Sequence, residues 1–198
     1  MPSPIGHALA GTSVAWLVDL VPGSRTWRTA PAFASFFARA GHDLTLVCAG
    51  LAVIPDLDLI FGIHRTFTHS IGAVIFVGLF AAAMAANAGR PVARITLMCA
   101  AAYGSHVLLD WMAVDRYPPA GIQALWPFTS GWYISGWDIF LQTERSHPMT
   151  AAGIQQNMAA IAREVEILLP IAIGVWLVRV KALAGFSSKL SGSHHPAE

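Results

Sequence analysis

The pattern of apolar and charged positions divides the chain into five apolar segments joined by polar or aromatic loops. The clearest covers residues 70–88, contains no charged side chain, and would be about 28 Å long as a helix. A second covers residues 95–114, where Asp110 carries the charge. A hydrocarbon core is about 30 Å thick, so both segments have the length of membrane-spanning helices.

Three shorter apolar segments cover residues 8–21, 44–55 and 167–178. Alone, each would also suit a core helix of a soluble bundle. Together with the two long segments they predict an all-α integral membrane bundle of about five helices. Residues 1–186 are predicted to form one membrane-embedded domain, and the small polar residues of 187–198 predict a disordered tail.

Residues 118–140 form the longest stretch without a helical pattern, and they carry many aromatic side chains among Gly and Pro. Trp and Tyr favour the headgroup layer of a membrane. This stretch therefore predicts an aromatic capping loop, although a plain aromatic belt without function fits the same pattern. Residues 31–40, with Pro31 at the first position, predict a short surface helix.

Composition supports the membrane interpretation. Apolar residues make up 55% of the chain and charged residues 12%, against about 25% charged residues in an average soluble domain. The net charge of +1 offers no basic surface, which argues against a nucleic-acid partner. Cys48 and Cys99 lie inside apolar segments without metal-ligand spacing, and are predicted to be small buried hydrophobes.

Lysine and arginine are distributed unequally between the two sides of the five-helix topology. Eight follow segments one, three and five, and four lie in the other loops. Cytoplasmic loops carry the excess of these residues in membrane proteins. The count therefore predicts an N-terminus outside the cell and a C-terminus inside it.

Seven ionisable side chains fall at the outer ends of the predicted helices. Such groups are costly at membrane depth and are usually paired or functional. The topology used only Lys and Arg, so their convergence on one face is an independent observation, and His42 falls on the opposite face. The seven are His7, Asp56, Asp58, His64, His69, His106 and Asp110.

The local spacings suit metal binding. His106 and Asp110 are four residues apart and share one helix face. Pro55 ends the preceding helix and frees Asp56 and Asp58 to present carboxylates. Nitrogen and oxygen ligands without Cys favour zinc, with manganese or iron as alternatives. Seven candidates exceed four positions, which predicts two ions, or one ion and supporting residues.

Each element also has a structural interpretation. A single His and Asp four apart on a helix is usually a structural pair, an Asp-x-Asp turn is usually a helix terminus, and a lone Arg65 would be a headgroup anchor. The joint placement of the seven residues favours a metal site over these readings.

Five motifs occur in an order that resembles the YdjM-like family of bacterial membrane-bound, metal-dependent hydrolases. They are Met-Pro-Ser-Pro-Ile-Gly-His7, Ile54-Pro-Asp56-Leu-Asp58, His64-Arg65-Thr-Phe-Thr-His69-Ser70, Ser105-His106-Val-Leu-Leu-Asp110-Trp111 and Leu125-Trp126-Pro127-Phe128. The resemblance covers roughly residues 1–130 and the last helix. It implies a location in the bacterial inner membrane.

This family is in turn distantly similar to zinc-dependent phospholipase C and the S1/P1 nucleases. Those enzymes bind zinc through an N-terminal His, an Asp, a His and a His-x-x-x-Asp. His7, Asp56 or Asp58, His69, His106 and Asp110 match that set in order. The further His ligands of the soluble enzymes have no counterpart here, which puts a three-metal cluster in doubt.

The combined expectation is a hydrolase that cleaves a phosphoester, such as a phospholipid, with a metal-activated water. His69, His106, Asp110 and Asp56 would hold one ion. His7, with Asp110 bridging and with Asp58 or His64, would hold a second.

Two further roles are assigned. Asp56 or Asp58 would orient or deprotonate the water, with Asp58 as the assigned catalytic residue. Arg65 and the N-terminus of the helix after Ser70 would neutralise the phosphate oxygens. The alternative is a non-enzymatic membrane protein with a structural or sensory metal.

Overall fold

The computed structural model describes residues 1–20 and 42–192, and within these ranges the chain forms α-helices, two 3₁₀ helices and no β-strand. The all-α class predicted from the sequence is confirmed. The five α-helices are α1 (Pro4–Asp19), α2 (His42–Leu51), α3 (Ile71–Asn87), α4 (Val92–Trp111) and α5 (Ala151–Gly192). The 3₁₀ helices are Ile54–Phe61 and Phe67–His69.

The last helix differs most from its predicted bounds. It begins at Ala151, well before the predicted residue 167, and continues through Pro170 to Gly192. The first six residues of the predicted 187–198 tail are therefore helical, because the helix carries on past the apolar segment. The remainder of that tail and the predicted surface helix at 31–40 lie outside the described residues.

Helix α1 is the centre of the bundle and packs against α2, α4 and α5, while α3 packs against α4. Small residues allow the closest of these approaches. A Cβ on Gly11 would lie 2.4 Å from the Cβ of Ala52 and 3.0 Å from the carbonyl oxygen of Cys48. Cys48 and Cys99 are both buried, as their apolar surroundings predicted, and neither forms a disulfide.

Two stretches in the described part of the chain are long and apolar enough to cross a membrane, Leu44–Phe61 and Val92–Trp111. Only 28% and 39% of their residues are buried, unlike the core helices of a water-soluble protein. Helix α3 is apolar but has 17 residues. Its side chains Phe76 and Phe80 are nevertheless largely exposed. Two spans are thus supported by length and composition, and the five-span bundle stays a prediction.

The aromatic loop of residues 118–140 folds over the start of α3. The backbone amide of Ile71 donates to the carbonyl oxygen of Ala124 at 2.8 Å, and that of Gly72 donates to Trp126 at 3.0 Å. A Cβ on Gly72 would lie 2.8 Å from that same oxygen of Trp126, so this approach requires glycine. The loop thereby satisfies two backbone amides that a helix start leaves without partners.

Candidate metal centre

His7 is positioned by a cap that joins the first and last helices. Ser3 precedes α1 and its hydroxyl accepts from the backbone amide of Gly6, with Pro4 at the first helical position. Glu164 of α5 accepts from the backbone amide of Ser3 at 2.7 Å and also from its hydroxyl. The carboxylate therefore lies at the positive end of α1, and His7 is completely buried in the first turns that follow.

The other candidate ligands come from the ends of three further elements. Asp56 lies in the 3₁₀ helix Ile54–Phe61, with Pro55 in its first turn. Helix α2 already ends at Leu51, so Pro55 does not end that helix as predicted. His69 ends the second 3₁₀ helix, directly before Ser70, whose hydroxyl caps α3. His106 lies on the last turns of α4, so all these side chains meet at one end of the bundle.

Five of these side chains form one compact cluster of nitrogen and oxygen atoms. Asp110 Oδ2 lies 3.3 Å from His69 Nε2 and 3.1 Å from His106 Nε2. Asp56 Oδ1 lies 3.8 Å from both of these nitrogens. The other oxygens of the two carboxylates face His7, whose Nε2 is 3.4 Å from Asp110 Oδ1 and 3.8 Å from Asp56 Oδ2.

These separations are those of donor atoms around a metal ion. Donors bound tetrahedrally at about 2.0–2.2 Å are about 3.3–3.6 Å apart. One set contains His69, His106 and one oxygen from each carboxylate, and the other contains His7 and the two remaining oxygens. Asp56 and Asp110 would thus help to hold an ion with His69 and His106, and an ion with His7. The rings of His7 and His106 stack with centroids 3.8 Å apart, which keeps the two sets adjacent.

The donor atoms are buried without hydrogen-bond partners. These atoms are the Nε2 atoms of His7, His69 and His106 and both carboxylate oxygens of Asp110. Buried polar atoms are nearly always hydrogen-bonded, because desolvation without a partner is costly. Coordination of a cation would satisfy them all. The residues therefore fit a divalent metal on their own chemistry.

The second nitrogens of two histidines are held in the way that metal ligands require. His106 Nδ1 lies 2.7 Å from the carbonyl oxygen of Ala52, so Nδ1 carries the proton and Nε2 presents its lone pair. His69 Nδ1 lies 3.2 Å from Asp58 Oδ2. A carboxylate behind a ligating imidazole fixes the ring and raises its basicity.

The negative charge of this cluster acts on the pKa of His69. Burial alone would lower the pKa of this imidazole. Asp56, Asp58 and Asp110 outweigh that effect and raise the pKa to about 9. A divalent cation would compensate the negative charge of the same carboxylates.

Asp58 and His64, both predicted as ligands, lie beside the cluster. Asp58 accepts from the hydroxyl of Thr68 and lies 2.6 Å from His64 Nδ1. His64 Nε2 is 3.1 Å from the sulfur of Met1. Asp58 therefore orients His69 and His64, and these contacts favour Asp56 over Asp58 as the catalytic carboxylate. A smaller group of Asp56, His64 and His69 also places one donor atom each within 4.8 Å of the others.

Arg65, which was predicted to bind phosphate, contacts the loop after α4. Its Nη1 donates to Asp115 and to the carbonyl oxygens of Tyr117, Pro119 and Gly121, the last three at 3.1, 3.0 and 3.4 Å. The guanidinium thus supports the loop that follows α4. The start of α3 was assigned the same role, and its first amides donate to the aromatic loop instead. These donors thus contact the protein itself, and the two phosphate-binding roles stay predictions.

Three charged residues near the centre were not singled out by the sequence analysis. Glu164 fixes the start of α1, Asp115 pairs with Arg65, and Arg145 lines a cavity of about 400 Å³ that reaches Asp56. They come from α5 and from loops without a motif, so sequence spacing carried no signal for them. His42 was assigned to the opposite face; it begins α2, and its side chain lies outside the described part.

Comparison with known proteins identifies the family of the chain. No curated protein and no solved structure matches the chain. The similarity to phospholipase C and the S1/P1 nucleases thus stays a prediction from the motifs. The family model described as YdjM inner membrane protein matches residues 1–185, and the chain therefore belongs to this family of inner membrane proteins.

Proposed function

We propose that this inner membrane protein is a metal-dependent hydrolase that cleaves a phosphoester. The observation that carries the proposal is the cluster of buried, unpartnered donors from His7, His69, His106 and Asp110, together with Asp56. Such a cluster beside a cavity is the usual form of a hydrolytic metal site.

The donor set favours zinc in one or two positions. Three imidazoles and two carboxylates suit zinc, and manganese or iron also accept such ligands. His69 and His106 would hold one ion and His7 the other, with Asp56 and Asp110 shared. A divalent ion here would supply Lewis-acid stabilisation of the phosphoryl oxygens and a water with a lowered pKa.

Asp56 is the carboxylate placed to handle the attacking water. Its side chain is 14% exposed, whereas that of Asp110 is completely buried. Asp56 also lines the cavity of about 400 Å³, which would give water a path to the cluster. When one ion is held through Asp56 Oδ1, Asp56 Oδ2 would be available to orient the water and accept its proton, while Asp58 and the carbonyl oxygen of Ala52 hold the imidazole rings in place.

Asp56→Asn should lower hydrolysis by about 100-fold or more, since it removes a ligand charge and the proton acceptor together. Turnover is measured with zinc-loaded protein on a panel of phosphomonoesters, phosphodiesters and phospholipids. Asp138→Asn is the matched control because Asp138 lies in the aromatic loop and is exposed. Zinc-loaded wild type that hydrolyses nothing in the panel would favour the alternative, a structural or sensory metal.

We further propose that the metal centre faces the outside of the cell, with the C-terminus in the cytoplasm. The Lys and Arg distribution supports this orientation, and the centre lies at the bundle end where α1 and α3 begin. A reporter that works only in the cytoplasm should be active when it is fused after Ser187, and one that works only in the periplasm should be inactive there. A periplasmic signal from that fusion would place the centre on the inner face.

A further inference from the structure

The cavity beside Asp56 has one polar side and one apolar side. Asp56, Arg145 and Asn157 contribute polar groups, and Val53, Leu57 and Ile161 contribute apolar surface. Asn157 is already engaged: its amide oxygen accepts from the backbone of Glu144 at 2.7 Å, and its amide nitrogen donates back at 3.1 Å. Met1, Ser3 and Thr143 also line the cavity, and their polar groups are engaged as well. The Met1 ammonium donates to the carbonyl oxygen of Val114 at 3.3 Å, Ser3 donates to Glu164, and Thr143 donates to the carbonyl oxygen of Met1 at 3.1 Å. The charged side chains of this lining are therefore Asp56 of the metal centre and Arg145.

Arg145 differs from two other arginines near this end of the bundle. Arg65 pairs with Asp115, and Arg163 with Glu166 at 3.2 Å. Among the described residues, no carboxylate lies within 4 Å of the Arg145 guanidinium, which sits 5.3 Å from the centre of the Tyr117 ring. Stacking on an aromatic ring holds a guanidinium in place while leaving its hydrogen-bond donors available.

The apolar side of the cavity continues onto an exposed apolar surface. Leu57 and Leu59 line the cavity and are about half exposed. Next to them, Ile60 and Phe61 are 77% and 76% exposed. In an inner membrane protein such a surface is covered by lipid, because water-exposed apolar patches of this kind are unfavourable. The cavity therefore connects the metal centre, a free guanidinium and the lipid phase.

We propose that this cavity binds an amphiphilic phosphoester, with Arg145 holding the phosphate group and the apolar wall holding its chain. The proposal rests on the proposed function only in placing the scissile bond at Asp56. A planar guanidinium matches two phosphate oxygens at once. A phosphate between Arg145 and a metal cation would neutralise both, and an alkyl chain would lie against Val53, Leu57 and Ile161.

The test measures binding of octyl phosphate and of inorganic phosphate to zinc-loaded protein in phosphatidylcholine nanodiscs by calorimetry, with empty nanodiscs as the blank. Arg145→Ala should weaken octyl phosphate binding by about 10- to 100-fold, as expected for loss of charge-assisted hydrogen bonds. Arg163→Ala is the matched control and should bind like wild type. Ile161→Ser should weaken octyl phosphate but not inorganic phosphate.

Three results would overturn the proposal: no binding of octyl phosphate to wild type, equal affinity in Arg145→Ala, or equal affinity of wild type for the two probes. Arg145→Lys and Arg145→Gln guard against misfolding, since Lys should retain more affinity than Gln at equal zinc content. Equal weakening of these two would also overturn the role of charge.

The outcomes separate this proposal from the proposed function. Binding of octyl phosphate that depends on Arg145, without any turnover, would support the proposed binding cavity and contradict the proposed hydrolase activity. Turnover by Arg145→Ala with an unchanged KM would support the hydrolase activity and contradict the role of the cavity in binding the substrate.

Discussion

Replacing Asp110 by Asn should remove nearly all bound metal while the protein stays folded. The side chain of Asp110 is completely buried. Its Oδ1 faces His7, and its Oδ2 faces His69 and His106. A single isosteric change therefore removes a donor charge from both positions. Loss of an outer partner of a metal ligand costs about 10- to 100-fold in affinity, and loss of a shared ligand should exceed that.

Metal content per chain, measured by elemental analysis of protein purified without chelator, reports this effect directly. Added zinc should raise the melting temperature of wild type, because an ion that binds only the folded state stabilises it. The same addition should leave Asp110→Asn unchanged. The control Asp138→Asn should keep wild-type metal. Full metal content in Asp110→Asn would show that the cluster is not the binding site.

Arg65→Ala should destabilise the fold by about 3–5 kcal/mol, the usual cost of breaking a buried ion pair from one side. Arg65 and Asp115 side chains are 9% and 2% exposed, so neither charge is well hydrated. The substitution leaves the Asp115 carboxylate buried without its cation. It also removes the donor shared by the carbonyl oxygens of Tyr117, Pro119 and Gly121.

Denaturant unfolding in detergent, followed by tryptophan fluorescence, measures this loss. Arg65→Lys should fall between wild type and Arg65→Ala, since a point charge can satisfy Asp115 but not the whole group of acceptors. Arg116→Ala is the control: its side chain is exposed in the same loop, and the change should stay within about 0.5 kcal/mol. If Arg65→Ala had wild-type stability, the stabilising role of Arg65 in the loop would be contradicted.

The sequence predicted helix number and position well because long apolar segments are a strong signal. Four of the five predicted segments overlap α1, α2, α3 and α4 to within a few residues at most ends. The fifth was placed correctly but was far too short, since residues 151–166 are helical without being apolar. Their helical structure depends partly on packing against α1, which is a long-range contact that periodicity does not contain.

The candidate ligands were predicted for a similar reason. Ionisable side chains stand out in an apolar chain, and a topology fixed by Lys and Arg alone placed His7, Asp56, His69, His106 and Asp110 at one end. The sequence did not show which of the seven candidates face the metal site and which support the others. Asp56 and Asp58 are two residues apart in a 3₁₀ helix, and only the folded chain shows which one faces the imidazole Nε2 atoms.

The charged residues outside motifs could not be assigned from sequence. Arg65 stands between two histidines along the chain, and that adjacency suggested an anion site. Its positive φ of 67° and its contacts turn the guanidinium towards Asp115. Arg145 lies about 90 residues after Asp56 in the chain, and only tertiary packing brings the two side chains to the same cavity.

The contact between Ser3 and Glu164 has a consequence for the order of synthesis. These residues are 161 positions apart, and chains are made and inserted N-terminus first. His7 is therefore made early, but the carboxylate that holds the start of its helix arrives only with α5. We expect the nascent chain to carry a loosely held His7 until that helix docks. The last helix would then complete the packing around His7. A chain that ends before this helix would leave His7 accessible to free metal ions and its first helix accessible to proteases.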